Sequence, residues 1–213
     1  MILAGTDGAR AGVVLLHGRG GRAAEMPALL DHAGLAGVAA AAPEAAGNSW
    51  WPTSFLATTA QMEPHVARGL AAVAEAVAEL EAAGIGRGAI WLAGFSQGAC
   101  LALEAHARIG AGLAGAFGFS GGLVGTADAG TDPDPSLYGH APKRFDYGPG
   151  HGAGRVWISV HARDPHIPLR RAEDSAEVFR SLGATVATEV YPGAGHGMRE
   201  ADIAILRDWL GPG

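Results

Sequence analysis

Cysteine is almost absent from this chain. Cys100 is the only one in 213 residues, so no internal disulfide can form, and the thiol falls in helix-forming company where a small apolar side chain packs. Charge is also sparse: 17% of residues are charged, and the formal net charge of −6 is spread along the chain without a basic cluster. That distribution argues against nucleic acid and against anionic membrane surfaces as partners. No apolar run approaches the length of about 18 residues that a membrane span requires. The N-terminus lacks the charged start and small-residue cleavage site of a signal peptide. The expectation is a cytoplasmic protein without stable membrane association.

What the chain has is apolar residues and glycine. A hydrophobic content of 48% and a length of 213 residues suit one globular domain spanning 1–213 with a full core. The most informative stretch is AIWLAGFSQGACLALEAHAR, residues 89–108. It reads as a buried strand, a sharp turn at Ser96 bracketed by Gly94 and Gly98, and a helix. A serine in such a G-x-S-x-G turn projects its hydroxyl above the end of a sheet, and the two glycines let strand and helix pass closely. The backbone N–H of Gln97, in the first helical turn, would face developing negative charge.

The pattern is weak alone, because GFSGG at 118–122 matches it too. The residues downstream of each serine separate the two. A helix comes after Ser96, whereas Gly125, Gly130, Pro133 and Pro135 come after Ser120, and a helix interior does not tolerate them. Ser96 is therefore the candidate nucleophile, and Ser120 reads as the polar end of a neighbouring strand that lines the same cleft.

Along the rest of the chain, apolar runs at 12–17, 38–42, 113–119, 155–160 and 185–191 read as strands. Helical patterns cover 22–32, 59–83, 168–182 and 199–210. Strands alternating with helices across short links predict a mostly parallel, doubly wound α/β sheet. A long segment rich in Gly, Pro and Asp, residues 125–154, interrupts the alternation; a connection of that length is usually functional, and it is expected at the rim of the cleft.

In such sheets ligands gather at the carboxyl ends of strands. Asp164 follows the strand ending near Val160, and His196 follows the strand ending near Tyr191. With Ser96 they give the chain order Ser, Asp, His of a hydrolase triad. Such chemistry needs a hydroxyl to attack, a neutral imidazole to take its proton, and a carboxylate to fix the imidazole tautomer. The glycine-rich loop HGRGG, residues 17–21, offers a second oxyanion donor, most plausibly the backbone N–H of Arg19 beside that of Gln97. Trp50, Trp51, Phe55 and Leu56, on a loop after an early strand, suit a substrate-binding wall on the acyl side of the cleft, with core packing as the alternative. His161, Asp164 and His166 have metal-like spacing, but no fourth ligand supports it, so no metal is expected.

LLHGRGG, AAPEAAGNSWWP, GFSQGAC, FSGGL, DPHIP and YPGAGHGM, in this order, resemble the phospholipase/carboxylesterase family that includes the acyl-protein thioesterases, and more closely its bacterial esterase branch. The resemblance runs from about Val13 to Leu210. It implies a compact α/β-hydrolase fold, a serine esterase without metal or organic cofactor, and small ester or thioester substrates. Carried over, the triad falls on Ser96, Asp164 and His196, and the oxyanion donors on Arg19 and Gln97. Family members are often dimers, which leaves a homodimer open. The expected function is hydrolysis of short- to medium-chain carboxylic esters. A thioesterase or lysophospholipase is the alternative within the enzyme class, and a non-catalytic ligand-binding protein on a hydrolase scaffold is the alternative outside it.

Overall fold

A computed structural model of the protein describes residues 1–211. Seven strands form one sheet: β1 (Ile2–Ala4), β2 (Ala11–Leu16), β3 (Val38–Ala42), β4 (Ile90–Phe95), β5 (Gly115–Phe119), β6 (Gly154–Arg163) and β7 (Ala184–Ala194). Their spatial order is β1-β3-β2-β4-β5-β6-β7. Every pairing is parallel except β1 with β3. Five helices flank the sheet: α1 (Ala28–His32), α2 (Thr59–Ala82), α3 (Gln97–Ile109), α4 (Leu169–Ser181) and α5 (Glu200–Leu210).

The central strands read as unbroken apolar runs because both of their faces are covered. In β2, Val14 and Leu16 join the core beneath α2, α3 and α4, and Val13 and Leu15 join the core beneath α1 and α5. The two-residue side-chain period of a strand splits each run in this way. On the second face Trp209 of α5 lies against Trp91 and Phe117, at ring separations of 5.8 and 5.2 Å. Among the described residues no helix is long and apolar enough to cross a membrane.

Two elements differ from the sequence expectation. The helix expected over 22–32 is reduced to a single turn at Ala23–Glu25 followed by the short α1. Pro27 stands between them, without an N–H and restricting the residue before it. The edge strand β1 was not expected, since two exposed residues and a half-buried one carry no alternation with a buried face; its pairing to Ala40–Ala42 is a tertiary contact.

The topology locates the site. From β2 the chain steps outward to β3 and then returns to β4 on the other side of β2. The loops leaving β2 and β4 therefore diverge and leave a crevice above their carboxyl ends. Residues 17–21 leave β2 there, and Ser96 leaves β4.

Candidate active site

Ser96 sits at φ 56°, ψ −117°, between β4 and α3. Backbone there is costly for a residue with a side chain, and the surroundings hold it. A β-carbon on Gly94 would stand 2.3 Å from the Gly98 carbonyl carbon, and one on Gly98 would stand 2.0 Å from the Leu16 carbonyl oxygen. Only glycine lets β4, α3 and β2 approach this closely.

The sequence-derived residues Ser96, Asp164 and His196 come together. Nε2 of His196 lies 2.8 Å from Ser96 Oγ, and Nδ1 lies 2.8 and 3.0 Å from the two Asp164 carboxylate oxygens. A carboxylate at Nδ1 requires the proton on that nitrogen, which leaves Nε2 free to accept the serine hydroxyl. Asp164 is almost fully buried. Burial pushes its pKa up, but the His196 N–H and the backbone N–H groups of His166 and Ile167, at 2.9 and 3.0 Å, outweigh this and hold it below the ordinary carboxylate value. The arrangement can shuttle a proton from Ser96 to His196 while Asp164 remains ionised.

Ser120 has a similar backbone conformation, φ 53°, yet it is fully buried. Its hydroxyl lies 3.5 Å from the Gly197 carbonyl oxygen, and it does not line the cleft where Ser96 is found. The spacing of His161, Asp164 and His166 does not converge either. The His161 ring is buried against Tyr191 and accepts from Arg199 Nε at 3.2 Å, whereas His166 stands edge-on to His196 at 4.8 Å.

The cleft above Ser96 has a volume of about 680 Å³. Arg19 and Gln97 both line it. Among the described residues neither backbone N–H donates to a backbone carbonyl, which leaves both available to a ligand. Their side chains do other work. Gln97 accepts from the Trp50 N–H at 2.8 Å and donates to the Trp51 carbonyl at 2.8 Å, while the Arg19 guanidinium donates to the carbonyls of Pro52 and Thr53. The loop at 50–56 is thus pinned from two sides.

Trp51, Phe55 and Leu56 line the cleft; Trp50 does not. The Trp50 ring packs on His17 at 5.2 Å and its indole N–H donates to the His17 carbonyl at 2.9 Å. His17 in turn accepts from the Ala45 N–H and holds the Gly18 carbonyl. This buried set shapes the base of the 17–21 loop.

Sequence reading missed Tyr138, His140 and His166 as cleft residues. Tyr138 and His140 belong to the long 125–154 segment, which docks on the body: the Lys143 ammonium donates to the Val124 carbonyl, and the Tyr147 hydroxyl meets Glu104 at 2.9 Å. The Tyr138 hydroxyl donates to the backbone carbonyl of Asp164 itself. Only the length of the segment hinted at such a role.

The profile of the Phospholipase/Carboxylesterase family matches residues 1–133. A phospholipase/carboxylesterase structure from Dyadobacter fermentans is similar over 98% of this chain and 94% of its own, at 34% identity and a TM-score of 0.82. The Bacillus cereus carboxylesterase shares the fold at 17% identity, with 98% of this chain and 92% of that one covered and a TM-score of 0.71. A Mesorhizobium loti carboxylesterase does so at 20% identity, 99% and 93% coverage and a TM-score of 0.68. No curated protein matches the sequence.

Proposed function

The chain belongs to the phospholipase/carboxylesterase family and is a hydrolase of the carboxylesterase type, and from that premise we propose that it is a serine carboxylesterase working through Ser96, His196 and Asp164. The observation that carries the proposal is the continuous line of hydrogen bonds from Asp164 through His196 to Ser96. In this reading Ser96 Oγ attacks the ester carbonyl as His196 Nε2 takes its proton. The backbone N–H groups of Arg19 and Gln97 receive the oxyanion. His196 then gives the proton to the leaving alcohol, and a water repeats the sequence on the acyl-enzyme. Asp164, held ionised by its three N–H partners, stabilises the imidazolium in both halves. Trp51, Phe55 and Leu56 take the acyl chain, short to medium in length, and the polar backbone groups beside them stay engaged with Gln97 and Arg19.

Intact-mass analysis after a fluorophosphonate probe tests this. The wild type and Ser120→Ala should each gain one adduct and hydrolyse 4-nitrophenyl butanoate, and Ser96→Ala should do neither. Adduct formation that survives Ser96→Ala and is lost in Ser120→Ala would remove the assignment.

A further inference from the structure

The cleft has a charge of its own that differs in sign from the rest of the molecule. The chain as a whole carries a formal charge of −6, yet among the described residues no aspartate or glutamate lines the cleft; Arg19, Tyr138, His140, His166 and His196 do. Arg19 takes part in none of the ion pairs among the described residues. Its guanidinium donates to two neutral carbonyls, of Pro52 and Thr53, so its charge is held in place without being neutralised. Asp164 lies behind His196 and its oxygens are taken up by three N–H donors, and Asp134, whose backbone bridges to His140, has its carboxylate engaged by the Ser136 N–H and hydroxyl outside the cleft lining.

The histidines and Tyr138 are also placed on one side of the reaction, whereas Arg19 is held on the Pro52 and Thr53 carbonyls of the loop that carries the apolar wall. His196 must hand its proton to the leaving alcohol, so the alcohol portion of an ester lies toward His196. His166 stands edge-on to that ring at 4.8 Å, and His140 and Tyr138 line the cleft with it. An imidazole offers an N–H donor in either protonation state. Low-dielectric walls around a cleft of one sign concentrate ligands of the opposite sign.

Resting on the esterase reading, we propose that the preferred substrates are esters whose alcohol portion carries an anionic group, recognised by His166 and His140, while the unpaired charge of Arg19 sets the sign of the cleft as a whole. The acyl portion, against Trp51, Phe55 and Leu56, remains apolar.

Two esters nearly equal in shape test the proposal: 4-(butanoyloxy)benzoate, an anion, and 4-(butanoyloxy)benzamide, which is neutral. After each kcat/KM is divided by the ester's own rate with hydroxide, the wild type at low salt should favour the anion by about five- to tenfold, and 0.5 M salt should shrink that ratio. The doubly substituted His140→Ala, His166→Ala protein, which loses both donors, should lower the ratio severalfold through KM; a ratio cancels any general loss of activity. Calorimetric binding of the same two esters to Ser96→Ala reads the charge preference without turnover. Turnover of both esters at a ratio of one or less would overturn the anionic preference and leave the esterase standing. Absence of turnover with tighter binding of the anion would do the opposite. Equal binding of the two esters to Ser96→Ala would also overturn the proposal, as would a ratio unmoved by the double substitution.

Discussion

Gly98 lies so close to Leu16 that a β-carbon on it would stand 2.0 Å from the Leu16 carbonyl oxygen. The contact joins α3, which starts behind Ser96, to β2, which delivers the 17–21 loop. Both partners of the crevice are thereby set at one separation, so Gly98 fixes the spacing between the turn that carries Ser96 and the loop that carries Arg19.

Gly98→Ala separates two opposing effects. Alanine in a helix is favoured over glycine by about 1 kcal/mol, but an approach well inside van der Waals contact to a buried backbone must be relieved by moving the helix or the strand, at a cost of several kcal/mol. The clash wins. We expect Gly98→Ala to lose at least ~3 kcal/mol in urea denaturation or to fail to fold. Gly86→Ala is the control: nothing lies within 4 Å of its built β-carbon and its φ is −62°. It should be neutral or stabilised by up to about 1 kcal/mol. Equal stability of the two variants would show that the close approach is not enforced.

The same crevice shows what could be read in advance. The strand-turn-helix around Ser96 is legible because its apolar run, its glycines and its helix formers are local, and Asp164 and His196 are legible because each follows a strand end. Trp50 and Trp51 look alike in sequence, yet one ring turns to His17 and the other to the cleft. The difference rests on Gln97 gripping the backbone between them, a contact 46 and 47 residues distant in sequence. Tyr138 and His140 were hidden for a related reason. Their segment has no period of its own, and it is placed by Lys143 and Tyr147 reaching Val124 and Glu104.

Asp164→Asn should leave the fold intact and remove the chemistry. An amide oxygen can still accept from the N–H groups of His166 and Ile167, so the loop keeps its anchors. Its NH₂ can donate to His196 Nδ1, however, which drives the imidazole proton onto Nε2, where it faces Ser96 and blocks base catalysis. A fall in kcat of about 10³- to 10⁴-fold is expected, with a urea midpoint near neutral pH lowered only by the stability that the ionised carboxylate contributes. Retention of activity within tenfold would mean that Asp164 does not set the tautomer.

His106 gives the stability of the protein a pH dependence that catalysis does not share. Its ring is buried against Phe179, with Nε2 2.7 Å from the Ala153 carbonyl oxygen, and burial lowers its pKa from 6.5 to about 4. The folded state therefore resists protonation more than the unfolded chain does. The contribution is fully present above about pH 6.5, declines as pH falls from 6.5 toward 4, and falls no further below that. A shift of this size corresponds to roughly 3 kcal/mol across the window. His106→Gln keeps a donor for Ala153 and cannot ionise. The difference in unfolding free energy between wild type and variant should shrink or reverse between pH 7.5 and 4.5, and a difference independent of pH would show that His106 accepts a proton in the folded state.

Acyl-chain preference tests the wall. Trp51, Phe55 and Leu56 are buried almost completely and still line the cleft, so each borders the core on one side and the cleft on the other. If they contact an acyl chain, each added methylene contributes up to about 0.8 kcal/mol, and kcat/KM rises by up to roughly fourfold per carbon until the pocket ends. We expect the rise to run from acetate to about butanoate or hexanoate and then reverse. Trp51→Leu removes ring volume at the wall while sparing the backbone carbonyl that Gln97 holds. Its optimum should move to longer chains, because the space once filled by the indole becomes available to substrate, and the ratio of octanoate to butanoate rates should rise several-fold. Truncating a buried tryptophan also costs stability, on the order of 2 to 4 kcal/mol, so the series is to be measured well below the variant's unfolding temperature. A variant that loses stability while keeping the wild-type order of chain lengths would assign Trp51 to the core alone.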